Sequence, residues 1–174
     1  MIEVKDKLSI SLRGELEVIL ISKGGASVLY RGINHICDNA ILLLLGLLGR
    51  DFDNKMISKI HIATGGDLDP VTGLDTGARV APRDEETKVR QLLFACPIAN
   101  FETDSAKVTF TAVAKTNEAN SDTINEFALV TEDGTILSHF VTQADFTGRA
   151  AKYVKDDLLY LVVRWKIYPE LRRS

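Results

Sequence analysis

The sequence predicts a mainly β protein: an antiparallel, jelly-roll-like β-sandwich of about eight strands. One short buried helix (about 38–48) and a long loop (67–83) interrupt it. Three observations predict this class. Asp133-Gly134 joins two alternating apolar runs within 123–140, and Gly supplies the positive φ that a tight hairpin turn needs. Residues 106–114 and 158–168 alternate apolar and polar side chains, the period of a strand with one buried face. Strand, turn and strand repeat without intervening helices, which points to antiparallel pairing.

Taken in order, residues 1–13 carry a weak alternation in Leu8, Ile10 and Leu12 and read as an N-terminal arm. Residues 14–174 then form one domain, the default at this length. Glu15–Ser22 and Ala26–Arg31 flank Lys23-Gly24-Gly25 as a hairpin. Asp38 or Asn39 can cap a helix over the apolar run that follows, and Gly49 can stop it. A helix apolar all round has to be covered on several sides, by a sheet edge or a second subunit. Met56–Ala63 alternates with Ile57, Ile60 and Ile62 as its apolar set. Two Gly and two Pro between Asp67 and Arg83 exclude regular structure over most of that segment; loops of this length are usually functional or disordered, and the functional reading is an interaction loop. Gln91–Ala99 is strand-like, with Pro97 pointing to an edge or bulge. The 123–140 hairpin is expected to pair with Val108–Lys115 and Leu158–Tyr168. The last strand sets Leu159, Leu161, Val163, Trp165 and Ile167 on one face, and Pro169 is expected to stop it.

Composition excludes several function classes. The net charge is −3, which disfavours a phosphate-backbone partner, so no nucleic acid is expected. Arg164, Lys166, Arg172 and Arg173 form a small basic cluster that reads as a solvated strand end. The longest apolar run, Ala40–Leu48, is far shorter than the roughly 20 residues of a membrane span, so no membrane is expected. Cys37 and Cys96 lack metal-ligand spacing and read as buried small apolar side chains.

No pattern calls for catalysis. Asp67, Asp69 and Asp75 lack the spacing of a calcium loop. His35, His61 and His139 form no H-x-H or H-x-x-x-H pair and read as structural. Gly65-Gly66 follows a strand, but no Lys-Ser/Thr comes after it. The chain is therefore expected to be no enzyme and to hold no cofactor or metal.

Five motifs follow one another along the chain: Gly32-Ile33-Asn34-His35-Ile36, Ile60 to Gly66, Asp75-Thr76-Gly77-Ala78-Arg79, Ile124-Asn125-Glu126-Phe127-Ala128-Leu129 with Asp133-Gly134-Thr135-Ile136-Leu137, and Leu161 to Ile167. Their order resembles that of small structural proteins of tailed bacteriophages and phage-tail-like particles, the tail fibre, collar and baseplate-associated β-domains, and the last two match most closely. Ala63-Thr64-Gly65-Gly66 departs from the family's usual G-x-G-T-G, and Phe127-Ala128 from a small-Gly pair. The resemblance covers about residues 14–168. It implies a virion component of the tail, baseplate, fibre attachment or neck, assembled in the host cytoplasm, contacting copies of itself (a trimer or hexamer) and other virion proteins.

The candidate interface residues are Asp67, Asp69, Asp75, Arg79 and Arg83 in the loop, and Tyr160 and Tyr168 on the more polar face of the last strand. A capsid decoration protein is the alternative within this class. A glycan-binding module, with Tyr153 and Phe146 as its aromatics, is the alternative outside it.

Overall fold

The structure is a computed structural model, and it describes residues 8–48, 56–68, 75–79, 88–104, 107–142 and 151–173. These residues form twelve strands and one helix: β1 (Leu8–Ser22), β2 (Gly25–Ile36), α1 (Asp38–Leu48), β3 (Ile57–Thr64), β4 (Gly66–Leu68), β5 (Asp75–Arg79), β6 (Gln91–Thr103), β7 (Val108–Ala114), β8 (Ser121–Ile124), β9 (Glu126–Thr131), β10 (Ile136–Val141), β11 (Tyr153–Lys155) and β12 (Tyr160–Arg173).

Eight strands close into an antiparallel barrel in the order β1-β12-β7-β6-β3-β9-β10-β2. The expected mainly β class holds; the jelly-roll sandwich does not. A sandwich keeps two sheets with free edges, whereas here two strands belong to both walls. β6 pairs with β3 over Gln91–Pro97 and with β7 over Ile98–Thr103. β2 pairs with β1 over Gly25–Asn34 and passes to β10 at His35–Ile36. Closure removes the edges that an open sheet would leave. Pro97 sits at the handover in β6, the last residue paired with β3 before the ladder to β7 begins at Ile98.

The hairpin of β9 and β10 turns as expected, with Gly134 at φ +92°. Its neighbours differ from the expected ones. β9 pairs with β3 and β10 with β2, while β7 and β12 pair with each other. Alternation reveals a strand's faces, not its neighbours.

The barrel interior is filled by Leu16, Val18, Ile60, Ile62, Phe110, Ala112, Phe127, Leu129, Phe140, Leu161, Val163 and Trp165, together with Cys96. Ile57 joins Ile60 and Ile62 despite its odd spacing, because the ladder shifts register between Ile57 and Lys59. A second apolar cluster contains Cys37, Ala63, Val89, Ala128, Val130 and Ile136. All six residues of β9 and of β10 are buried. Both faces of this wall are therefore covered, and α1 packs against β10.

Two expectations are corrected at the chain's other elements. The helix 38–48 is present but not wholly buried: Ile41, Leu42 and Leu44 are exposed, Leu42 at 63%. Asn39 uses its side chain to donate to the Ile136 carbonyl at 3.2 Å, tying the helix start to β10. Within the 67–83 loop, β4 and β5 pair at Gly66↔Arg79 and Leu68↔Asp75. The expected loop is thus strand at 67–68 and 75–79, while 69–74 and 80–83 lie outside the described residues.

Residues 8–13 are the first part of β1. They pair with Tyr168–Arg173 of the same chain, so Pro169 does not end β12. The β1–β2 ladder starts only at Gly14, and the β12–β7 ladder reaches only Ile167. Leu8–Arg13 and Tyr168–Arg173 thus run past the barrel as a two-stranded ribbon, about 20 Å long at 3.3 Å per residue.

Candidate functional site

The densest polar grouping lies where β3, β9 and β10 meet, in the motif segments Ala63–Gly65 and Asn125–Glu126. Glu126 and His139 are each 0% exposed, and His139 Nε2 lies 2.6 Å from Glu126 Oε1. Their strand positions are diagonal across the ladder, since Glu126 faces Val141 and His139 faces Ala128. The Arg90 backbone N–H donates to Glu126 Oε2 at 2.9 Å, which ties the start of β6 to this carboxylate. Next to it, Asn125 Oδ1 accepts from the Gly65 N–H, and the Asn125 N–H donates to the Ala63 carbonyl at 3.2 Å. A Cβ at Gly65 would stand 2.8 Å from Glu126 Cβ, so this close approach requires glycine. The Thr142 N–H donates to the Asn125 carbonyl at 3.0 Å.

The three histidines share one cross-strand row: His35 opposes His139, His139 opposes Ala128, and Ala128 opposes His61. His61 is half-buried, and burial, with help from the Lys59 charge, lowers its pKa. Among the described residues no group of three His, Cys, Asp or Glu side chains could hold a metal ion. A carboxylate–imidazole pair can act as a base only if a substrate proton reaches it. Solvent touches neither Glu126 nor His139, so the pair as it stands is a structural tie between β9 and β10.

A second charged row runs across β2, β1 and β12. Glu17 faces Arg31 on one side and Arg164 on the other. Arg31 donates from Nε and Nη2 to Glu17 Oε1, and Arg164 Nη1 donates to Oε2 at 3.2 Å. Arg164 is therefore paired within its own chain and is not part of a purely solvated cluster. The hydrogen bond from Arg31 is the largest effect on Glu17 and holds its pKa below the ordinary 4.5, against the opposing effect of burial. A lowered folded-state value means that the stabilisation is present above the unfolded pKa and is lost as pH falls through the folded one. Glu17→Gln should therefore narrow its stability gap to the parent chain as pH is lowered from neutrality through about 4.5 and below, read as thermal midpoints.

The structure brings three of the sequence-predicted interface residues onto one small sheet and separates the two tyrosines. Asp67, Asp75 and Arg79 lie on the small β4–β5 sheet, while Asp69 and Arg83 are outside the described residues. Tyr160 and Tyr168 sit at opposite ends of the barrel-forming part of β12. Tyr168 lies at the ribbon, where its hydroxyl is 2.5 Å from Glu15 Oε1 and Arg13 stands 5.6 Å over its ring. Tyr160 lines an open cleft with Ile21, Ser22, Lys23, Thr116, Asp157 and Leu158, and Leu158 is 71% exposed there. Tyr153 is half-buried: its ring centre lies 6.3 Å from that of Phe127, and burial pushes its pKa up to about 12. Phe146 lies outside the described residues.

At the same end of the molecule, Lys155 is 2% exposed. Its Nζ donates to Asn120 Oδ1 at 2.6 Å and to the carbonyls of Asp156 and Thr116 at 3.3 and 3.4 Å. The sequence shows Asn125 and Glu126 in a motif and His139 as a structural histidine, but neither their mutual ties nor the burial of Lys155. The signal for Glu126 and His139 was a carboxylate and an imidazole inside two adjoining strands otherwise read as apolar.

No helix among the described residues is long and apolar enough to cross a membrane. No family model, curated protein or solved structure matches the chain.

Proposed function

We infer that this chain is a non-enzymatic structural subunit of a virion, of a tailed phage or phage-tail-like particle. Its place would be the tail, baseplate, fibre attachment or neck, where it works through contacts between copies of itself. Two lines support this reading: the ordered motifs around Ile124–Leu137 and Leu161–Ile167, and the ribbon that continues β1 and β12 past the barrel. The ribbon is the observation that carries it. An isolated two-stranded ribbon is marginal in water, and its backbone edges can take up a further strand. The uncharged exposed flank of α1, with Ile41, Leu42 and Leu44, offers a second contact suited to a closed ring.

Removing residues 1–13 tests this directly. The β1–β2 ladder begins at Gly14, so the shortened barrel can still close. Light scattering over a wide concentration range should give a stable trimer or hexamer for the full chain and a folded monomer for the shortened one. An unchanged oligomer in the shortened chain removes the ribbon from the contact. A full chain that stays monomeric, and binds only a preformed particle lattice, would indicate a decoration protein instead.

A further inference from the structure

We propose that Lys155 and Asn120 join covalently, the lysine amine and the asparagine side-chain amide forming an intramolecular isopeptide bond that clasps the 115–120 turn to β11. The proposal stands apart from the virion reading and rests on the geometry at this end of the barrel.

Three observations converge. First, Lys155 is almost wholly buried, yet among the described residues it meets only neutral oxygens: Asn120 Oδ1 and the carbonyls of Thr116 and Asp156. A buried ammonium without a carboxylate partner is costly, and the neutral amine, the nucleophilic form, is favoured by burial. Burial does lower the Lys155 pKa, against the opposing charges of Asp156, Glu118 and Asp157. Second, Asn120 holds its side-chain amide against the amine, with Oδ1 2.6 Å from Lys155 Nζ. It directly precedes Ser121, the residue that opposes Lys155 in the β8–β11 pair. The residue before it, Ala119, has φ +53°, the one positive φ at a non-glycine among the described residues. Such a conformation costs energy at alanine and persists where surrounding contacts impose it. Third, a carboxyl group belongs to the same turn. Glu118 lies two residues before Asn120, is held by the Lys115 N–H at 2.8 Å, and acts electrostatically on the Lys155 amine.

The step balances without any outside reagent. Neutral Lys155 Nζ attacks Asn120 Cγ, the Cγ–Nδ2 bond breaks, and ammonia leaves. Glu118 takes the proton released by the attacking amine and returns it to the departing nitrogen, so it ends unchanged. One amide replaces another and nothing is oxidised or reduced.

The test is the mass of the full chain, folded at neutral pH until its mass is constant and then denatured. The expected result is a chain lighter than its own sequence by one ammonia, with Lys155→Arg and Asn120→Ala each at full sequence mass. Trypsin should then yield a branched peptide joining Thr116–Arg149 to Tyr153–Arg164, because cleavage after Lys155 is blocked. Glu118→Gln should slow the mass change by about 100-fold, the size of a general acid–base contribution. A parent chain at full sequence mass, cleaved normally after Lys155, overturns the proposal. So does an ammonia loss that persists in Lys155→Arg.

Discussion

Glu126→Ala is expected to destabilise the folded chain by about 3–5 kcal/mol, the cost of removing one partner of a buried pair. The substitution leaves His139 in a fully buried position without the oxygen that lies 2.6 Å from its Nε2. It also deprives the Arg90 N–H of its acceptor and opens a void beside Gly65. Urea unfolding at neutral pH, extrapolated linearly, measures the loss. Glu126→Gln should cost less, because its amide oxygen can still accept from Arg90. Replacing Glu126 and His139 together by apolar residues of similar volume should recover much of the loss, since neither charge nor imidazole is then stranded. A single-alanine effect below about 1 kcal/mol, within the range of exposed ion pairs, would show that the pair is not the tie described above.

That pair also marks where sequence reading runs out. Residues 123–140 gave the hairpin, because Asp133-Gly134 is local chemistry that acts over four residues. The same stretch could not reveal that β9 lies between β10 and β3, or that its second face is covered by Val89, Ala63 and the 88–90 segment. With one face taken as solvated, nothing in the alternation asks Glu126 or His139 for a buried partner. With both faces covered, the same positions require partners.

Barrel closure was hidden for a related reason. It depends on β2 and β6 each serving two walls, and those handovers, at Asn34/His35 and Pro97/Ile98, leave no periodic trace. Pro97 is the one visible mark, and it points only to an edge or bulge; the ladder to β7 does shift register just after it, between Ile98 and Asn100. The inward faces of β7 and β12 were legible throughout, since Phe110, Ala112, Leu161, Val163 and Trp165 keep an unbroken period of two. The ribbon lay between these cases. Its alternation in Leu8, Ile10 and Leu12 was visible, but its partner strand was read as ending at Pro169. A proline is tolerated in a ladder where its nitrogen faces away from the paired strand, so β12 continues opposite Leu12.

Trp165→Ala carries a loss of similar size, about 3–5 kcal/mol for a large aromatic removed from a core. Trp165 is fully buried and stands between Leu16 of β1 and Phe110 of β7 in the cross-strand ladder. It fills the barrel near the end from which the ribbon leaves, where Gly14 and Gly32 contribute no side chain. Neighbouring side chains cannot close such a void without moving strands that are locked in a ring of ladders. Trp165→Phe separates volume from polarity. The indole Nε1 has no partner among the described residues, so phenylalanine forfeits no hydrogen bond and should lose much less than alanine. The parent indole should emit at short wavelength and resist quenching by iodide, and both signals should change together on unfolding. Equal losses for phenylalanine and alanine would mean that the indole N–H, not the ring volume, holds this end of the barrel.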